Sequence, residues 1–438
     1  MKLHIRNGHL IDPHNQIDTR QDLFIAAGKI VGVGQAPADF CAHKVIDATS
    51  LVVCPGLIDL SARLREPGYE YRATLESEMF AAVAGGVTSL VCPPDTEPVL
   101  DEPGLVKMLK FRAHNLHQAH VYPLGALTLG LKGQVLTEMT ELTEAGCIGF
   151  SQAEIPIADT EVLLRAMQYA NTFSYTVWLH PQDAWIGRNG VAAMGAMATR
   201  MGLAEISEAV ETIALQTIFE LVRMTRARVH LCKLSSGVGI ALVAKAKQEG
   251  LNISCDVAIN HLHLTDADLG YFDPHMRLIP PLRSQRDRQA IAQGLIDGTI
   301  NAICSDHTPV DEDEKLLPFA EAAPGATGLE LLLPLTLKWA REHQQPYSQA
   351  LASLTSRPAA ILNLLEKKKA GQLSIGSVAD ICIFSPDLEW RVTSENLYSQ
   401  GKNTPFIGYP QQGKVIMTLV EGGIAYQGVD GDLRTDRA

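Results

Sequence analysis

The spacing of apolar and polar residues divides the chain into two kinds of segment. Both ends carry short alternating stretches joined by Gly and Asn turns, such as KLHIRNGHLID near the start and GKVIMTLVEGGIAYQG near the end. Alternation of this kind is typical of half-buried β-strands. Neither end supplies more than a few strands. We therefore expect residues 1–52 and 368–438 to pair into one composite β-sandwich domain.

The middle of the chain, residues 53–367, repeats an apolar strand, a loop and an amphipathic helix. Near-continuous apolar strands that alternate with helices indicate a parallel sheet buried on both faces. Eight such units predict an α/β fold, a (β/α)8 TIM barrel. A doubly wound open sheet is the alternative, although no G-x-G-x-x-G or phosphate-loop pattern supports it. The predicted strands are residues 51–61, 87–93, 119–127, 147–152, 175–181, 228–235, 252–260 and 300–306.

A barrel of this kind places its chemistry at the carboxyl ends of its strands. Those ends are polar in this chain, as in Ser61-Ala62-Arg63, Cys232-Lys233 and Ser305-Asp306-His307. Strand ends that reach water are polar in many proteins, so polarity alone does not identify a site.

Composition narrows the classes of function. The formal net charge is −12. Binding to a nucleic-acid backbone needs clustered Lys and Arg, so this charge argues against nucleic-acid binding as the main function. No apolar run approaches the roughly 20 residues of a membrane helix, and the N-terminus reads as a strand rather than a signal peptide. The eight cysteines form no C-x-x-C pair. We therefore expect reduced core thiols in a cytoplasmic protein that binds neither nucleic acid nor membrane.

Several long segments carry a family likeness. DLSARLREPGYEYRATLESEMFAAVAGGVTSLVCPPDTEP, LHPQD, RVHLCKLS, PPLRSQRDRQAIAQGLIDGTINAICSDHTP and GATGLELLLPLTL resemble bacterial dihydroorotases of the amidohydrolase superfamily in order and spacing. The resemblance covers nearly the whole chain. It implies a zinc hydrolase of pyrimidine biosynthesis that interconverts carbamoyl aspartate and dihydroorotate. It also implies zinc ligands after strands 1, 4, 5, 6 and 8, the last an Asp that acts as general base.

The chain departs from that ligand pattern. The positions that the resemblance assigns to the ligands are Ser61, Arg63, Ala153, His180, Lys233 and Asp306. Guanidinium and ammonium groups repel a dication, and the two surviving ligands fall short of the three that catalytic zinc uses. We therefore predict no metal, and we predict that Asp306 keeps the base position without a function in catalysis.

The positions that the resemblance assigns to substrate binding are mixed. Arg65 and His307 are retained, whereas Asp95 and Ile279 each replace an Asn and Val310 replaces a His. The loss of metal ligands together with substrate contacts predicts that the hydrolytic site has degenerated.

Other residues offer alternative ligands. Glu154 is one residue from the strand-4 ligand position, and His261 and His263 form an H-x-H that we interpret as surface or loop histidines. A further set recurs with helical spacing and is interpreted as a partly exposed helix face: His114, His117 and His120.

The loss of zinc would leave Asp306 without a counter-ion, which is costly for a buried carboxylate. Arg63 and Lys233 are predicted at the same barrel mouth. We expect one or both to form an ion pair with Asp306. The alternative is that both cations point to solvent.

Three functions remain open. The nearest resemblance is to the non-catalytic dihydroorotase-like subunit of bacterial aspartate carbamoyltransferase, which implies a homo-oligomer that assembles with the catalytic chain. The second is an active dihydroorotase or related cyclic-amide hydrolase with an altered zinc site. The third is a sensor that binds a carbamoyl aspartate-like ligand through Arg65 and His307. The Gly- and Ala-rich loop 182–204 is a candidate mobile cover for the mouth.

Overall fold

The N-terminal segment forms seven short strands. The computed structural model describes residues 2–428 and 435–437. Alternating burial, as in the first strand, leaves one face of each strand for a core. The strands are β1 (Lys2–Arg6), β2 (His9–Asp12), β3 (Ile17–Arg20), β4 (Leu23–Ala26), β5 (Lys29–Val33), β6 (Lys44–Asp47) and β7 (Val52–Pro55).

The middle segment alternates strands with helices, and all eight predicted strand regions contain a strand. Its strands are β8 (Leu57–Asp59), β9 (Val87–Cys92), β10 (His120–Pro123), β11 (Gly125–Ala126), β12 (Phe150–Ser151), β13 (Thr176–Leu179), β14 (Ala192–Ala193), β15 (Glu205–Ile206), β16 (Arg228–Leu231), β17 (Ile253–Ala258) and β18 (Ala302–Cys304).

Helices separate most of these strands, as the sequence predicted. They are α1 (Leu75–Ala84), α2 (Pro103–Asn115), α3 (Met139–Ala145), α4 (Thr160–Thr172), α5 (Ala196–Met201), α6 (Ala209–Thr225), α7 (Gly237–Gln248), α8 (Ile259–His263), α9 (Gln285–Ile296), α10 (Glu312–Lys315), α11 (Leu332–Glu342), α12 (Tyr347–Ala352), α13 (Ser356–Ile361) and α14 (Leu364–Lys367). Short 3-10 turns lie at Leu129–Leu131, Asp266–Leu269, Pro274–Met276, Leu329–Leu331 and Ser394–Asn396.

Most strands of the middle segment form two parallel sheets. One sheet has the order β10-β9-β8 and a second has the order β11-β12-β13-β16-β17-β18. Strands β10 and β11 follow each other with only Leu124 between them, so the chain passes directly from the first sheet to the second. The outer ends meet at a parallel bridge between Ala62 and His307. Every residue of β9 and β13 is buried, as the apolar runs predicted, and the α/β fold is confirmed.

The chain returns to the N-terminal strands through β19 (Ile381–Arg391), β20 (Pro410–Val420), β21 (Gly423–Gln427) and β22 (Thr435–Arg437). One sheet has the order β22-β6-β1-β4-β5 and the other β21-β20-β19-β7-β2-β3, so both combine strands from the two ends of the chain. The domain limits, residues 1–52 with 368–438 and residues 53–367, stay predictions.

Side-chain caps fix where several helices begin. Thr74 and Ser284 form capping boxes before α1 and α9, and the Ser236 hydroxyl accepts a bond from the Gly239 N–H at the start of α7. The caps define the first residues of α1, α7 and α9. These helices follow β8, β16 and β17 along the chain, so each cap lies after the polar end of a parallel strand.

The cysteines carry free thiols, and six of the eight are buried, with Cys41 exposed and Cys232 half-buried. Within the described ranges, no helix has the length and apolar character needed to span a membrane.

Candidate functional site

The carboxyl ends of the parallel strands bring five charged side chains together. They come from the loops after β8, β9, β12, β16 and β18, and we call them the ion-pair cluster: Arg63, Asp95, Glu154, Lys233 and Asp306. Lys233 and Asp306 hold left-handed backbone conformations, with φ of 56° and 49°, which non-glycine residues rarely adopt. The Lys233 N–H donates to the Asp256 carboxylate over 2.6 Å, which holds this turn in place.

Arg63 connects three carboxylates. Its Nε lies 2.7 Å from Asp95 Oδ2, and its Nη2 lies 3.1 Å from Glu154 Oε1. Its Nη1 lies 3.6 Å from Asp306 Oδ1 and donates a 3.0 Å hydrogen bond to the Thr308 hydroxyl. The side chain is only 8% exposed, so it points into the site rather than to solvent.

Lys233 occupies the deepest position of the cluster. Its Nζ lies 2.9 Å from Asp306 Oδ1, donates to the Ile279 carbonyl over 3.2 Å, and forms a short contact with Glu154 Oε1. The Lys233 and Asp306 side chains are 4% and 6% exposed. The predicted ion pair with Asp306 is confirmed, for Lys233 by a hydrogen-bonded contact and for Arg63 by a longer one.

Mutual attraction outweighs burial for most of the cluster. Burial alone would lower the pKa of Arg63 and of Lys233, but their carboxylate neighbours raise both above the ordinary values. Burial would raise the pKa of Glu154, and the two cations instead lower it. Burial, opposed by Lys233, leaves the pKa of Asp306 raised. The cluster is therefore an ionic network in which the two cations hold Glu154 in its charged form, whereas burial favours protonation of Asp306.

The other predicted ligand positions are Ser61, Ala153 and His180. Together they do not offer a set of metal-binding atoms to the cluster. Ser61 uses its carbonyl to accept from the His307 N–H over 3.1 Å, and Ala153 has no donor side chain. His180 Nδ1 lies 3.2 Å from the Cys232 carbonyl. Burial, and next the charge of Lys233, lower the pKa of His180 to about 4, so the ring is neutral at pH 7.

The two retained substrate-binding positions are used inside the protein. Arg65 Nε donates to the Pro309 carbonyl over 2.8 Å, and burial lowers the pKa of Arg65 to about 10. His307 Nδ1 accepts from the Gly328 N–H over 3.1 Å, so its Nε2 carries the proton that is donated to Glu78 over 2.6 Å. Both ring nitrogens of His307 are therefore engaged. Arg65 uses its Nε, and among the described residues its two Nη groups have no hydrogen-bond partner, so they stay available for the contact that the sensor hypothesis requires.

Sequence comparison identifies the family. A family described as dihydro-orotase-like matches residues 50–237, and one described as the amidohydrolase family matches residues 190–426. A dihydroorotase-like protein of Pseudomonas aeruginosa is 42% identical over 428 residues, which cover 98% of this chain and 100% of that protein. The chain belongs to the dihydroorotase-like family.

This dihydroorotase-like chain is also similar to a second sequence relative and to a solved structure. A dihydroorotase of Geobacter sp. strain M21 is 38% identical over 427 residues, 98% of this chain and 100% of that protein. The L-hydantoinase (dihydropyrimidinase) of Arthrobacter aurescens superposes with a TM-score of 0.88, covering 98% of this chain and 97% of that chain at 22% identity. The second similarity shows a common fold. The family resemblance seen in the sequence is confirmed, whereas the link to aspartate carbamoyltransferase stays a prediction.

The zinc centre implied by the dihydroorotase-like family does not fit the residues present. Zinc in proteins takes imidazole, thiolate or carboxylate ligands. Here two of the positions carry a guanidinium and an ammonium, and those cations already bond to the carboxylates Glu154 and Asp306. In the described part of the chain, no group of three His, Cys, Asp or Glu side chains is arranged to hold a metal ion.

The prediction that His261 and His263 are surface or loop histidines is wrong. Both lie in α8, which begins directly after β17, and they are 3% and 7% exposed. His263 Nε2 lies 2.9 Å from the Leu335 carbonyl of α11, and His261 Nε2 lies 3.3 Å from the Pro281 carbonyl. Burial lowers the pKa of His261 to about 4 and that of His263 to about 3.

The other histidine set is split between two elements. His114 and His117 are exposed at the end of α2 and just beyond it, as predicted for a helix face. His120 does not continue that face, because it begins β10, where its Nε2 lies 3.0 Å from Asp380 Oδ2. The helix therefore ends before the second histidine of the set.

Two supporting carboxylates escaped the sequence analysis. Glu211 of α6 accepts hydrogen bonds from the backbone N–H and hydroxyl groups of Ser235 and Ser236. Asp256 of β17 accepts from the Lys233 N–H and lies 3.0 Å from His230 Nε2. An Asp inside the apolar run ISCDVA was a usable signal for the second. Glu211 lies in an ordinary helical pattern and carried none.

Proposed function

We propose that this dihydroorotase-like chain does not hydrolyse cyclic amides, and that the ion-pair cluster holds the strand ends together in place of a zinc centre. The bond between Lys233 Nζ and Asp306 Oδ1 carries the proposal. A general base must accept a proton from the attacking water. The same Asp306 oxygen is already bonded to Lys233 and lies 3.6 Å from Arg63, so it is engaged by cations instead of being directed at a water molecule.

We also infer that the eight parallel strands close into a TIM barrel. The bridge between Ala62 and His307 supports closure, because it joins the segments that follow the first and last strands. We further infer that the sheets shared by the two chain ends form one small β-sandwich domain beside that barrel. On this interpretation, the ion-pair cluster lies at the barrel mouth, where related folds place their chemistry.

Hydrolysis and zinc content test the proposal together. The protein is purified without chelator, its zinc content is measured, and dihydroorotate hydrolysis is followed with and without added zinc. We expect turnover at background and no activation by zinc. Turnover well above background that rises with stoichiometric zinc would refute the proposal.

An active cyclic-amide hydrolase is the second candidate. Two observations favour it: a relative named dihydroorotase is 38% identical, and the retained His180 and Asp306 are both ligand types that zinc accepts. This candidate requires both cations to leave the carboxylates. Zinc-dependent turnover in the assay above would support it.

We propose that the protein acts in the cytoplasm in pyrimidine biosynthesis, as an oligomeric partner of the aspartate carbamoyltransferase catalytic chain. Exposed apolar side chains on the loops after the strands support a protein contact at this face. Trp185 is 67% exposed, Tyr271 is fully exposed and Leu316 is 75% exposed. They follow β13, β17 and β18, so they share the carboxyl end of the parallel strands.

Gel filtration and sedimentation of the mixed chains test this partner. We expect co-elution of the two wild-type proteins at micromolar concentration. Trp185→Ser and Tyr271→Ser should weaken the complex. Phe111→Ser is the matched control, because Phe111 is 69% exposed on α2, away from those loops. Independent elution of the wild-type proteins would contradict the partner assignment. Equal weakening by the control would contradict the proposed face.

A further inference from the structure

A cavity lies beside the ion-pair cluster and is lined by arginines. Its volume is about 140 Å³. The charged lining residues are Arg188, Arg277, Arg283 and Glu211. His180 and Ile279 also line it, so one wall touches residues that border the cluster. We call this cavity the arginine pocket.

Among the described residues, the two buried arginines of the pocket have no carboxylate partner. Arg277 is 9% exposed, and its Nη1 donates to the Val191 carbonyl over 3.2 Å. Its Nε has no hydrogen-bond partner in the part of the chain that the structure describes. Arg283 is 7% exposed and its Nε donates to the Ser235 hydroxyl over 2.7 Å. Burial lowers the pKa of Arg277, and no nearby acid opposes that change.

The one acid of the lining is already occupied. Glu211 is 3% exposed, and its two oxygens accept four hydrogen bonds from Ser235 and Ser236. In the described ranges, no carboxylate lies within ion-pair distance of any of the three arginines. The pocket therefore presents more positive than negative charge.

A buried guanidinium without an anion is costly, and a bound carboxylate would relieve that cost. Guanidinium groups match the two oxygens of a carboxylate, and the remaining wall includes Pro280, Pro281 and Ile206, which suit a short carbon chain. We propose that the arginine pocket binds a small organic carboxylate, with Arg277 and Arg283 as its anchors. This site lies apart from Arg65 and His307, and it does not depend on whether the chain hydrolyses cyclic amides.

Calorimetric titration of the full-length protein with succinate tests the proposal, with inorganic phosphate as the comparison anion. We expect saturable succinate binding that weakens as salt is added. Failure of wild-type protein to bind succinate with a Kd below about 10 mM would overturn the proposal. Tighter binding of phosphate than of succinate would overturn the assigned ligand class.

Three pocket variants and one control locate the binding. Arg277→Gln and Arg283→Gln should each weaken succinate about 10- to 100-fold, the effect of removing a charged hydrogen bond. Arg200→Gln, an exposed position in α5 outside the lining, should bind as wild type. Arg188→Gln changes an exposed residue of the lining. If the two buried variants do not fold, the succinate affinity of this variant tests the location of the site. Unchanged succinate affinity in the folded pocket variants would overturn the assignment.

Discussion

Replacing Lys233 with Met should destabilise the protein through the carboxylates left behind. The ammonium group bonds to Asp306, Glu154 and the Ile279 carbonyl in a position where it is 4% exposed. Breaking a buried ion pair by removing one partner costs about 3–5 kcal/mol. Arg63 still lies 3.6 Å from Asp306 and offsets part of the loss, so we expect a decrease of about 3 kcal/mol in the free energy of unfolding.

The effect should depend on pH with a definite sign. Lys233 opposes the burial that raises the pKa of Asp306, so its removal raises that pKa further. The folded variant then binds a proton more tightly than the unfolded chain. The stability deficit is therefore full above the folded-state pKa and shrinks as pH falls, for example from about pH 8 to about pH 5.

Urea unfolding followed by tryptophan fluorescence and circular dichroism measures the deficit. The double variant Lys233→Met/Asp306→Asn should recover part of the loss, because the uncompensated charge is removed. Lys338→Met removes an exposed pair with Glu342 at 3.4 Å and should cost at most about 0.5 kcal/mol. A Lys233→Met variant within about 1 kcal/mol of wild type at neutral pH would refute the reasoning.

Three further predictions concern groups outside the cluster. Glu78→Ala should cost about 3 kcal/mol in urea unfolding, because it leaves the His307 Nε2–H and the Ser399 hydroxyl without their buried acceptor. Glu76→Ala on the exposed side of α1 should cost about 1 kcal/mol or less, and equal effects would contradict this. A native thiol assay should modify Cys41 first, since it is exposed and burial raises the pKa of Cys92 and Cys147 to about 12; rapid modification of several thiols would contradict the packing. Stability should fall as pH drops from about 6.5 towards 4, because buried neutral His180 and His261 take up protons only on unfolding; NMR midpoints near 6.5 for these rings would contradict this.

Apolar periodicity predicted the fold well because it records burial directly. Each predicted strand region contains a strand. The expected Lys233–Asp306 pair combined those strand ends with the ligand positions that the family resemblance implied. The predicted region 51–61 nevertheless contains two strands, β7 and β8. Strand β7 pairs with β19 in a terminal sheet, while β8 pairs with β9. A continuous apolar run does not show where a chain leaves one sheet for another.

Side-chain direction after a strand was harder to predict than strand position. Ala153 adopts a left-handed φ of 52°, and the following Glu154 carboxylate contacts both cations, which the sequence showed only as proximity to a ligand position. His263 is buried where α8 packs near α11, and His261 lies against the Pro281 carbonyl, and both contacts join residues distant in the sequence. The arginine pocket likewise depends on residues of the loop 182–204, which contains β14, α5 and the approach to β15.

Anomalous diffraction at the zinc edge tests the central claim most directly. Crystals of the full-length protein would be grown with added zinc, and the region between His180, Lys233 and Asp306 would be inspected. We predict no anomalous peak there, with Lys233 Nζ still bonded to Asp306. A zinc peak at about 2.0–2.2 Å from both the His180 ring and the Asp306 carboxylate, with the lysine displaced, would contradict the account.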